Sequence, residues 1–411
     1  MCTKYCGLLG EKLGHSFSPQ IHALLADYEY KLYPMPVQEV EDFMKNGTWD
    51  AINVTIPYKE TVIPFLDTIS DEAKTIGSVN TVVRDNYNRL HGYNTDFYGF
   101  SYLVRSAGFE VDGKKCIVLG SGGSCKTVRC VLESFGAREI ITISRSGENN
   151  YDNISRHYDA EIIVNTTPVG MYPNVGKIPI QLDKFTKCQG VLDLIYNPAL
   201  TSLLLKAESL GIKHANGLPM LVAQAKRACE IFQNTTLDDS LIETVLSKLR
   251  LQMMNVVLVG MPGCGKSTVG AILAKKLNHE LCDTDEEVTK SGRTPAEIIK
   301  SDGEAAFRKT ETEAVCAVGK LSGKIIATGG GVVTREENYI PLHQNGKIIF
   351  IDRSPALLTS ENRPLSQSVG IQKLYNDRLP LYRKFADATI ISDSTAEEAA
   401  EKIIKVMESL I

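Results

Sequence analysis

A strand, a glycine-rich loop and a helix follow one another at two places in this chain of 411 residues. The first strand and loop occupy residues 116–123, and the second occupy residues 256–267. Apolar residues recur at helical spacing after each loop, at 128, 131, 132 and 135 and at 269, 272, 273 and 277. Because short apolar segments alternate with helix-period segments elsewhere too, the sequence predicts an α/β architecture with parallel sheets.

The length predicts two or three domains, since a single core stops growing at roughly 250–300 residues. A polar start followed by spaced leucines predicts a closing helix over residues 235–253, with a join near residues 250–254. An apolar fraction of 43% and a net charge of −4 exclude a disordered chain.

The charge distribution and the cysteines limit which classes of partner and which cellular compartment are expected. No basic block is present, so neither a nucleic-acid partner nor a membrane partner is expected. No run approaches the roughly 18–20 apolar residues of a membrane span, and the N-terminus has no apolar signal core. The ten cysteines are scattered without a C-x-x-C pair, which predicts reduced thiols in a cytoplasmic protein.

The second loop, GMPGCGKS from Gly260 to Ser267, has the spacing G-x-x-x-x-G-K-[ST]. Such a loop wraps its N–H groups around phosphates at a helix N-terminus, while the lysine reaches the outer phosphates. A fortuitous glycine turn is the alternative, which the strand and helix on either side disfavour. The sequence predicts binding of a nucleoside triphosphate through Gly263, Gly265, Lys266, Ser267 and Thr268. Ser267 and Asp283 are the predicted Mg²⁺ ligands, and a solvated surface carboxylate is the alternative for Asp283.

Further motifs follow this loop in a fixed order. They are D-T-D at 283–285, G-E-x-x-F-R-x-x-E at 303–311, three glycines at 329–331, R-P-L at 363–365 and R-x-P-x-Y at 378–382. Each is weak alone, and in this order they resemble shikimate kinase over residues 254–411. The segment 359–363 looks short for that family, and residues 357–359 lack the arginine that the family usually places near the adenine.

The resemblance implies a shikimate pocket and its catalytic groups. Asp285 would orient the 3-hydroxyl and take its proton, and Arg308 or Arg378 would bind the carboxylate as a fork. Arg363 would come from a mobile lid to neutralise the transferring phosphoryl group. The residues implied around shikimate are Asp285, Arg308, Gly330, Gly331 and Arg378.

The first loop, GSGGSC from Gly120 to Cys125, fits a dinucleotide-binding turn, with cysteine in place of the third glycine. An ordinary strand–helix turn is the alternative. The next strand, 139–143, ends at Ser144 and Arg145 where NAD-binding sites carry an acidic residue, and this favours NADP. The predicted cofactor residues are Gly120, Gly122, Gly123, Ser144, Arg145 and Asn165.

Polar residues cluster at predicted turns ahead of and behind this loop. Serine, threonine and asparagine commonly form turns and caps, which is the better explanation of any one cluster. Together the motifs resemble shikimate dehydrogenase over residues 1–250. They are H-S-x-S-P from 15, N-V-T-x-P-x-K at 53–59, N-T at 80, N-T-D at 94–96, G-x-G-G at 120, N-x-T-P-x-G-M at 165–171 and G-x-x-M-x-x-x-Q at 217–224.

This second resemblance implies a catalytic dyad of Lys59 and Asp96. Lys59 would donate a proton to the ketone oxygen as hydride arrives, while Asp96 orients the lysine and holds a substrate hydroxyl. Tyr196 and Gly217 would lie near the nicotinamide and the substrate, and Gly217 would contact the cofactor. The residues implied for the substrate carboxylate and hydroxyls are Ser16, Ser18, Thr55, Asn80 and Gln224.

The two resemblances imply one bifunctional enzyme that makes shikimate with NADPH and phosphorylates it with ATP. The domains are predicted at 1–98 completed by 218–250, at 99–217 with a Rossmann fold, and at 254–411. The partners are small molecules, and a homodimer is compatible with the sequence. Two alternatives remain at this point: a C-terminal half that senses ATP without turnover, and a reductase acting on quinate with NAD.

Overall fold

The computed structural model describes residues 5–14, 16–290, 292–358 and 370–410, which divide into two compact units. The first comprises the chain up to Gly170 together with Gly176–Tyr196 and Ser202–Leu246. The second comprises Met171–Val175, Asn197–Thr201 and the chain from Ser247 onward. Among the described helices, none is long and apolar enough to cross a membrane. The predicted domain limits at 98, 217 and 254 fall between three sheets and stay predictions.

The first sheet is mixed. Its strands are β1 (Tyr5–Gly10), β2 (Glu29–Pro34), β3 (Ala51–Val54), β4 (Thr68–Ile69), β5 (Thr81–Arg84) and β6 (Leu90–Tyr93). They lie in the order β2-β1-β3-β5-β6-β4, and β5 is antiparallel to both its neighbours. This sheet departs from the predicted parallel arrangement at β5, because only residues 85–89 join β5 to β6 and a parallel pair needs a crossover of a dozen or more residues.

Eight helices of the described chain accompany the first two sheets. They are α1 (Ser18–Leu25), α2 (Val37–Asn46), α3 (Asp71–Ile76), α4 (Asp96–Ser106), α5 (Gly123–Ser134), α6 (Ser202–Ser209), α7 (Leu218–Gln233) and α8 (Ser240–Met253). The predicted start of α8 at residue 235 is wrong, because the Asp238 carboxylate accepts the Ser240 N–H at 2.8 Å and begins the helix there. Helices α4 and α7 pack closely, since a Cβ on Gly99 would lie 2.7 Å from the Met220 carbonyl oxygen.

The second sheet is entirely parallel, as predicted. Its strands are β7 (Lys115–Leu119), β8 (Glu139–Ile143), β9 (Ile162–Asn165), β10 (Gly190–Asp193) and β11 (Lys213–Asn216). They lie in the order β11-β10-β9-β7-β8. The predicted strands at 116–119, 139–143 and 162–164 are confirmed, and the first glycine loop lies between β7 and α5. Their carboxyl ends share one edge, where open parallel sheets bind ligands.

The third sheet is also parallel and belongs to the second unit. Its strands are β12 (Asn255–Val259), β13 (Glu280–Asp283), β14 (Lys324–Ala327), β15 (Gly346–Asp352) and β16 (Ala388–Ile391), in the order β13-β14-β12-β15-β16. The helices are α9 (Lys266–Leu277), α10 (Thr284–Thr289), α11 (Pro295–Asp302), α12 (Glu304–Gly319), α13 (Tyr339–His343), α14 (Ile371–Phe385) and α15 (Ala396–Ser409). The second glycine loop therefore leaves the central strand β12 and enters α9, as predicted.

Two candidate active sites

Lys59 and Asp96 form an ion pair in the first unit, with Nζ 2.5 Å from Oδ2. Lys59 follows β3, and its backbone carbonyl accepts the Val79 N–H at 2.9 Å. Asp96 is the first residue of α4, where the helix dipole favours a carboxylate. The side chains are only 19% and 7% exposed, so solvent screens the pair weakly. Thr55 lies nearby in sequence, and its N–H donates to the Leu9 carbonyl at 2.9 Å.

The amide of Asn80 joins three segments of this unit. It is 2% exposed, and its oxygen accepts the Thr95 N–H at 2.7 Å. Its nitrogen donates to the Thr95 hydroxyl at 3.0 Å and to Gln224 Oε1 at 3.2 Å. Gln224 belongs to α7, 144 residues further along the chain. The result is a wall of neutral hydrogen-bonding groups next to Asp96.

The segment that carries the two predicted serines packs against Tyr196 through Phe17. Ser16 and Ser18 flank the start of α1, where the Ser18 N–H donates to Ser16 Oγ at 3.2 Å. Between them, the Phe17 ring meets the Tyr196 ring edge-on, with centroids 5.9 Å apart. Gly217 donates its N–H to the Ile195 carbonyl at 3.1 Å, next to Tyr196 in the chain. The segments that carry these predicted residues are therefore brought together.

Sequence reasoning missed the support behind this wall. The Tyr30 hydroxyl donates to Asn53 Oδ1 at 2.8 Å, and the Asn53 amide donates to the Thr81 hydroxyl at 3.1 Å. The His22 ring stacks on Tyr30 with centroids 4.1 Å apart. Burial lowers the pKa of His22 to about 3, so the imidazole is neutral. A single tyrosine in a predicted strand is most simply explained as a core residue, so the sequence did not indicate a role for Tyr30. Asn53, by contrast, already belonged to the motif at 53–59.

The first glycine loop leaves open backbone at the start of α5. Gly120 has φ +106°, and a Cβ there would lie 2.8 Å from the Thr166 hydroxyl oxygen. Positions 122 and 123 face open space, so a ligand can approach the first N–H groups of the helix. Cys125, in the place of a third glycine, is buried under the helix.

The other predicted cofactor residues differ in exposure. Arg145 is exposed just after β8, and Ser144 donates its N–H to the Asn149 carbonyl at 3.2 Å. Asn165 is fully buried, with its amide nitrogen 3.0 Å from Asp193 Oδ1 and its oxygen accepting the Thr167 hydroxyl at 2.7 Å. The Asn165 side chain thus holds the turn after β9 from inside, rather than facing the cleft.

The second glycine loop is shaped by left-handed glycines. Gly263 and Gly265 have φ of +87° and +97°. The Lys266 ammonium donates to the carbonyls of Gly260 at 2.9 Å and Met261 at 3.0 Å, and the side chain is mostly buried. Ser267 and Thr268 are exposed in the first turn of α9. The loop therefore surrounds its own lysine.

Ser267 and Asp283 provide two oxygens at one point. The Ser267 hydroxyl donates to Asp283 Oδ2 at 2.8 Å, while Oδ1 of Asp283 accepts the Asp285 N–H at 2.9 Å. Mg²⁺ in nucleotide sites uses one or two protein oxygens and completes its shell with phosphates and water. The pair fits that ion, although no cluster of three His, Cys, Asp or Glu ligands occurs within the described ranges.

Asp285 and Arg308 both lie close to Glu311. A Cβ on Gly329 would lie 3.0 Å from Asp285 Oδ1 and 2.6 Å from Glu311 Oε1, and Glu311 is bonded to Arg308. The pKa of the Asp285 carboxyl is raised to about 6 although this residue reaches solvent. Partial burial is the largest cause, and the negative charges of Asp283 and Glu311 add to it. Arg308 Nη1 donates to the buried Glu311 at 2.7 Å, and Nη2 donates to the half-exposed Glu304 at 3.0 Å. Neither glutamate was assigned a role from the sequence, although both stand in the motif at 303–311.

The three glycines after β14 bring the remaining predicted residues together. A Cβ on Gly331 would overlap the Arg308 guanidinium, and one on Gly330 would lie 2.5 Å from the Pro262 ring of the phosphate loop. The Gly330 carbonyl accepts from Arg378 Nη1 at 2.9 Å and from the Tyr382 hydroxyl at 2.5 Å. Arg363 and the segment 359–363 lie outside the described residues.

Comparison with known families matches both halves of the chain. Residues 8–82 match the family model of the shikimate dehydrogenase substrate binding domain, and residues 262–408 match that of shikimate kinase. The shikimate dehydrogenase (NADP(+)) of Clostridium beijerinckii is 37% identical over 264 residues, which are 59% of this chain and 97% of the relative.

Solved structures resemble the same N-terminal part. A chorismate mutase/shikimate 5-dehydrogenase fusion protein from Clostridium acetobutylicum superimposes with a TM-score of 0.58 at 35% identity, over 61% of this chain and 98% of that one. The shikimate 5-dehydrogenase of Thermus thermophilus, solved with NADP(H) and shikimate, gives a TM-score of 0.55 at 28% identity, over 60% and 99%.

Proposed function

Because the chain belongs to the shikimate dehydrogenase family and carries a shikimate kinase domain after it, we propose that the Lys59 pocket reduces 3-dehydroshikimate and the Lys266 cleft phosphorylates the product. The chain is a bifunctional enzyme of the shikimate pathway that uses NADP(H), ATP and Mg²⁺. Different residues would perform the ketone reduction and the phosphoryl transfer.

In the first pocket, Lys59 is the proton donor. Negative charge builds up on the ketone oxygen as hydride arrives, and a donor placed there lowers the barrier. Asp96, at 2.5 Å, holds the ammonium in place and accepts a substrate hydroxyl. The remaining contacts to the acid and its hydroxyls come from Ser16, Ser18, Thr55, Asn80, Tyr196 and Gln224.

The cofactor of this step supplies the hydride when bound. The N–H groups at Gly122 and Gly123 would hold its pyrophosphate, because they are open at the N-terminus of α5. Gly120 allows the close turn ahead of them. Ser144 and the exposed Arg145 would bind the 2′-phosphate, which supports NADP over NAD. Gly217 would line the nicotinamide end next to Tyr196.

In the second cleft, Lys266 exchanges its two carbonyl acceptors for phosphate oxygens. Gly263, Gly265 and Thr268 present N–H groups to the same phosphates. Ser267 and Asp283 would hold Mg²⁺, which would neutralise phosphate charge when bound.

Asp285 takes the proton of the acceptor hydroxyl. A pKa of about 6 leaves this carboxylate ionised at neutral pH and makes it a stronger base than an ordinary aspartate. The substrate carboxylate would replace Glu304, the exposed partner of Arg308, while Glu311 keeps the other edge of the guanidinium fixed. Arg378 and the backbone at Gly330 and Gly331 complete the acceptor pocket, and Arg363 is assigned by resemblance alone.

One observation carries the pairing of activities: a shikimate kinase match at 262–408 follows the dehydrogenase match in the same chain. The test supplies purified protein with 3-dehydroshikimate, NADPH, ATP and Mg²⁺ and follows intermediates by NMR. Shikimate should appear only with NADPH, and shikimate 3-phosphate only when ATP is also present. Phosphate on another atom, or faster turnover of quinate with NAD, would contradict the proposal.

Three coarser properties are also proposed. We infer a cytoplasmic location and no nucleic-acid or membrane partner, supported by the free cysteines of the described residues and by the balanced charge, while a homodimer stays a prediction. Cell fractionation and sedimentation of the purified chain test them.

A further inference from the structure

Arg353 is a cation beside the phosphate loop that the mechanism above does not use. It follows β15, which pairs with β12 so that Phe350 lies opposite Val259. The two strand ends touch, since a Cβ on Gly260 would lie 2.6 Å from the Ile351 carbonyl oxygen. The Arg353 side chain crosses to the loop, and its Nη1 lies 3.8 Å from the Cβ position of Gly265.

The backbone on both sides of Arg353 is fixed. The carbonyl of Asp352 accepts the Ser392 N–H at 2.9 Å, and the Ser354 N–H donates to Asp393 Oδ1 at 3.0 Å. The guanidinium therefore projects from an anchored point instead of a loose loop.

The guanidinium itself is not satisfied by the described part of the chain. Its Nε is buried without a hydrogen-bond partner. No Asp or Glu among the described residues lies within 4.0 Å of it as an ion pair. By contrast, Arg308 has two glutamates and Arg378 has the Gly330 carbonyl. A buried donor without an acceptor is costly, which points to a ligand that supplies one.

The surroundings of Arg353 are already positive. Gly265 is the N-cap of α9, whose N-terminus carries partial positive charge, and Lys266 follows it. A cation at this end of a helix is unfavourable by itself. The arrangement becomes favourable when a polyanion lies between the helix, the lysine and the arginine.

We propose that Arg353 binds the phosphate chain of the nucleotide, as a fork from the Gly265 side of the loop. This inference rests on the proposed nucleotide site at Lys266 and Ser267. It makes Arg353 a nucleotide-affinity residue that has no contact with the phosphoryl acceptor.

The test measures binding of MgADP by calorimetry to the full chain and to Arg353→Ala and Arg353→Gln. Both variants should bind about ten- to a hundredfold more weakly, as expected for the loss of a charged hydrogen-bonding partner. The dissociation constant for shikimate without nucleotide should stay within twofold. Arg293→Ala is the matched control, because Arg293 is half-exposed and paired with Asp302 at 2.7 Å on the surface.

Binding by the unaltered chain tests the nucleotide site, and binding by the variants tests Arg353. If the unaltered chain fails to bind MgADP, the proposed site itself is wrong. If that chain binds and both Arg353 variants bind within twofold of it, the inference about Arg353 is overturned. A loss of shikimate affinity equal to the loss of MgADP affinity, or a lower melting temperature than that of Arg293→Ala without ligand, would show a structural role and overturn it as well.

Discussion

The two proposed pockets would handle the same ring acid with different chemistry. The first is lined by neutral amides such as Asn80 and Gln224 around one ion pair. The second gathers acidic and basic side chains, with Glu311 paired to Arg308 and close to Asp285. Phosphoryl transfer moves more charge than ketone reduction and is catalysed mainly by electrostatic stabilisation, whereas the ketone needs one placed proton. The pockets should therefore fail independently and respond differently to pH.

Replacing Lys59 or Lys266 should have the largest effect on the two reaction rates. Lys59→Ala should lower NADPH oxidation by about 10²–10⁴-fold, since a general acid is lost, and leave phosphorylation within twofold. Lys266→Ala should lower phosphorylation by about 10²–10³-fold and spare NADPH oxidation. Separate assays with 3-dehydroshikimate and with shikimate measure both reactions.

Surface lysines of the same units serve as controls. Lys74, paired with Asp71, and Lys276, paired with Glu401, should be replaceable by alanine without loss of either activity. A single lysine variant that stays folded and loses both reactions would break the comparison between two independent pockets.

The pH dependence of phosphorylation is the next effect in size. As the proposed base, Asp285 must be ionised to accept a proton, and its pKa is raised from an ordinary value near 4 to about 6. Phosphorylation should therefore fall about tenfold per pH unit as the pH drops below about 6. Asp285→Asn should remove this limb along with most of the activity and leave the pH profile of NADPH oxidation unchanged. A kinase profile flat down to pH 4.5 would argue against Asp285 as the base.

Two adjacent glycines sharpen the comparison within the second cleft. Gly331→Ala places a methyl on the Arg308 guanidinium, which two glutamates hold, and should raise the KM for shikimate about tenfold. Gly330→Ala places one against Pro262 and should instead weaken MgADP binding. Equal effects of both substitutions on both ligands would mean that the glycines act only through stability.

Arg145→Ala should give the smallest effect. The side chain is exposed, so its contact with a 2′-phosphate is partly screened, and we expect about a three- to tenfold rise in the KM for NADPH with no change for NADH. Steady-state kinetics with both cofactors measure it, and Arg138→Ala, another exposed arginine of this unit, is the control. An equal rise in the KM for both cofactors would show that Arg145 does not contact the 2′-phosphate.

Short sequence motifs predicted those parts of the sites that are built from residues close together in the chain. The strand, loop and helix around Lys266 span few residues, so their spacing alone fixes the structure. The sequence also paired Ser267 with Asp283, and the structure places their oxygens 2.8 Å apart.

Contacts between distant segments were not foreseeable in the same way. The bond from Asn80 to Gln224 depends on the packing of α4 on α7, and Arg353 approaches Gly265 only because β15 pairs with β12. Burial was likewise not visible in the sequence, which placed Asn165 in a turn beside the cofactor without showing that its side chain is fully buried.

The bond between Asn80 and Gln224 also bears on how the chain matures during synthesis. The segments that carry Lys59, after β3, and Asn80, just before β5, leave the ribosome first, whereas α7 follows only after the whole of the second sheet. The second sheet is continuous in sequence and can form while the first still waits for its last helix. A nascent chain arrested before residue 218 would hold every strand of both sheets and still lack a finished cavity for its first substrate.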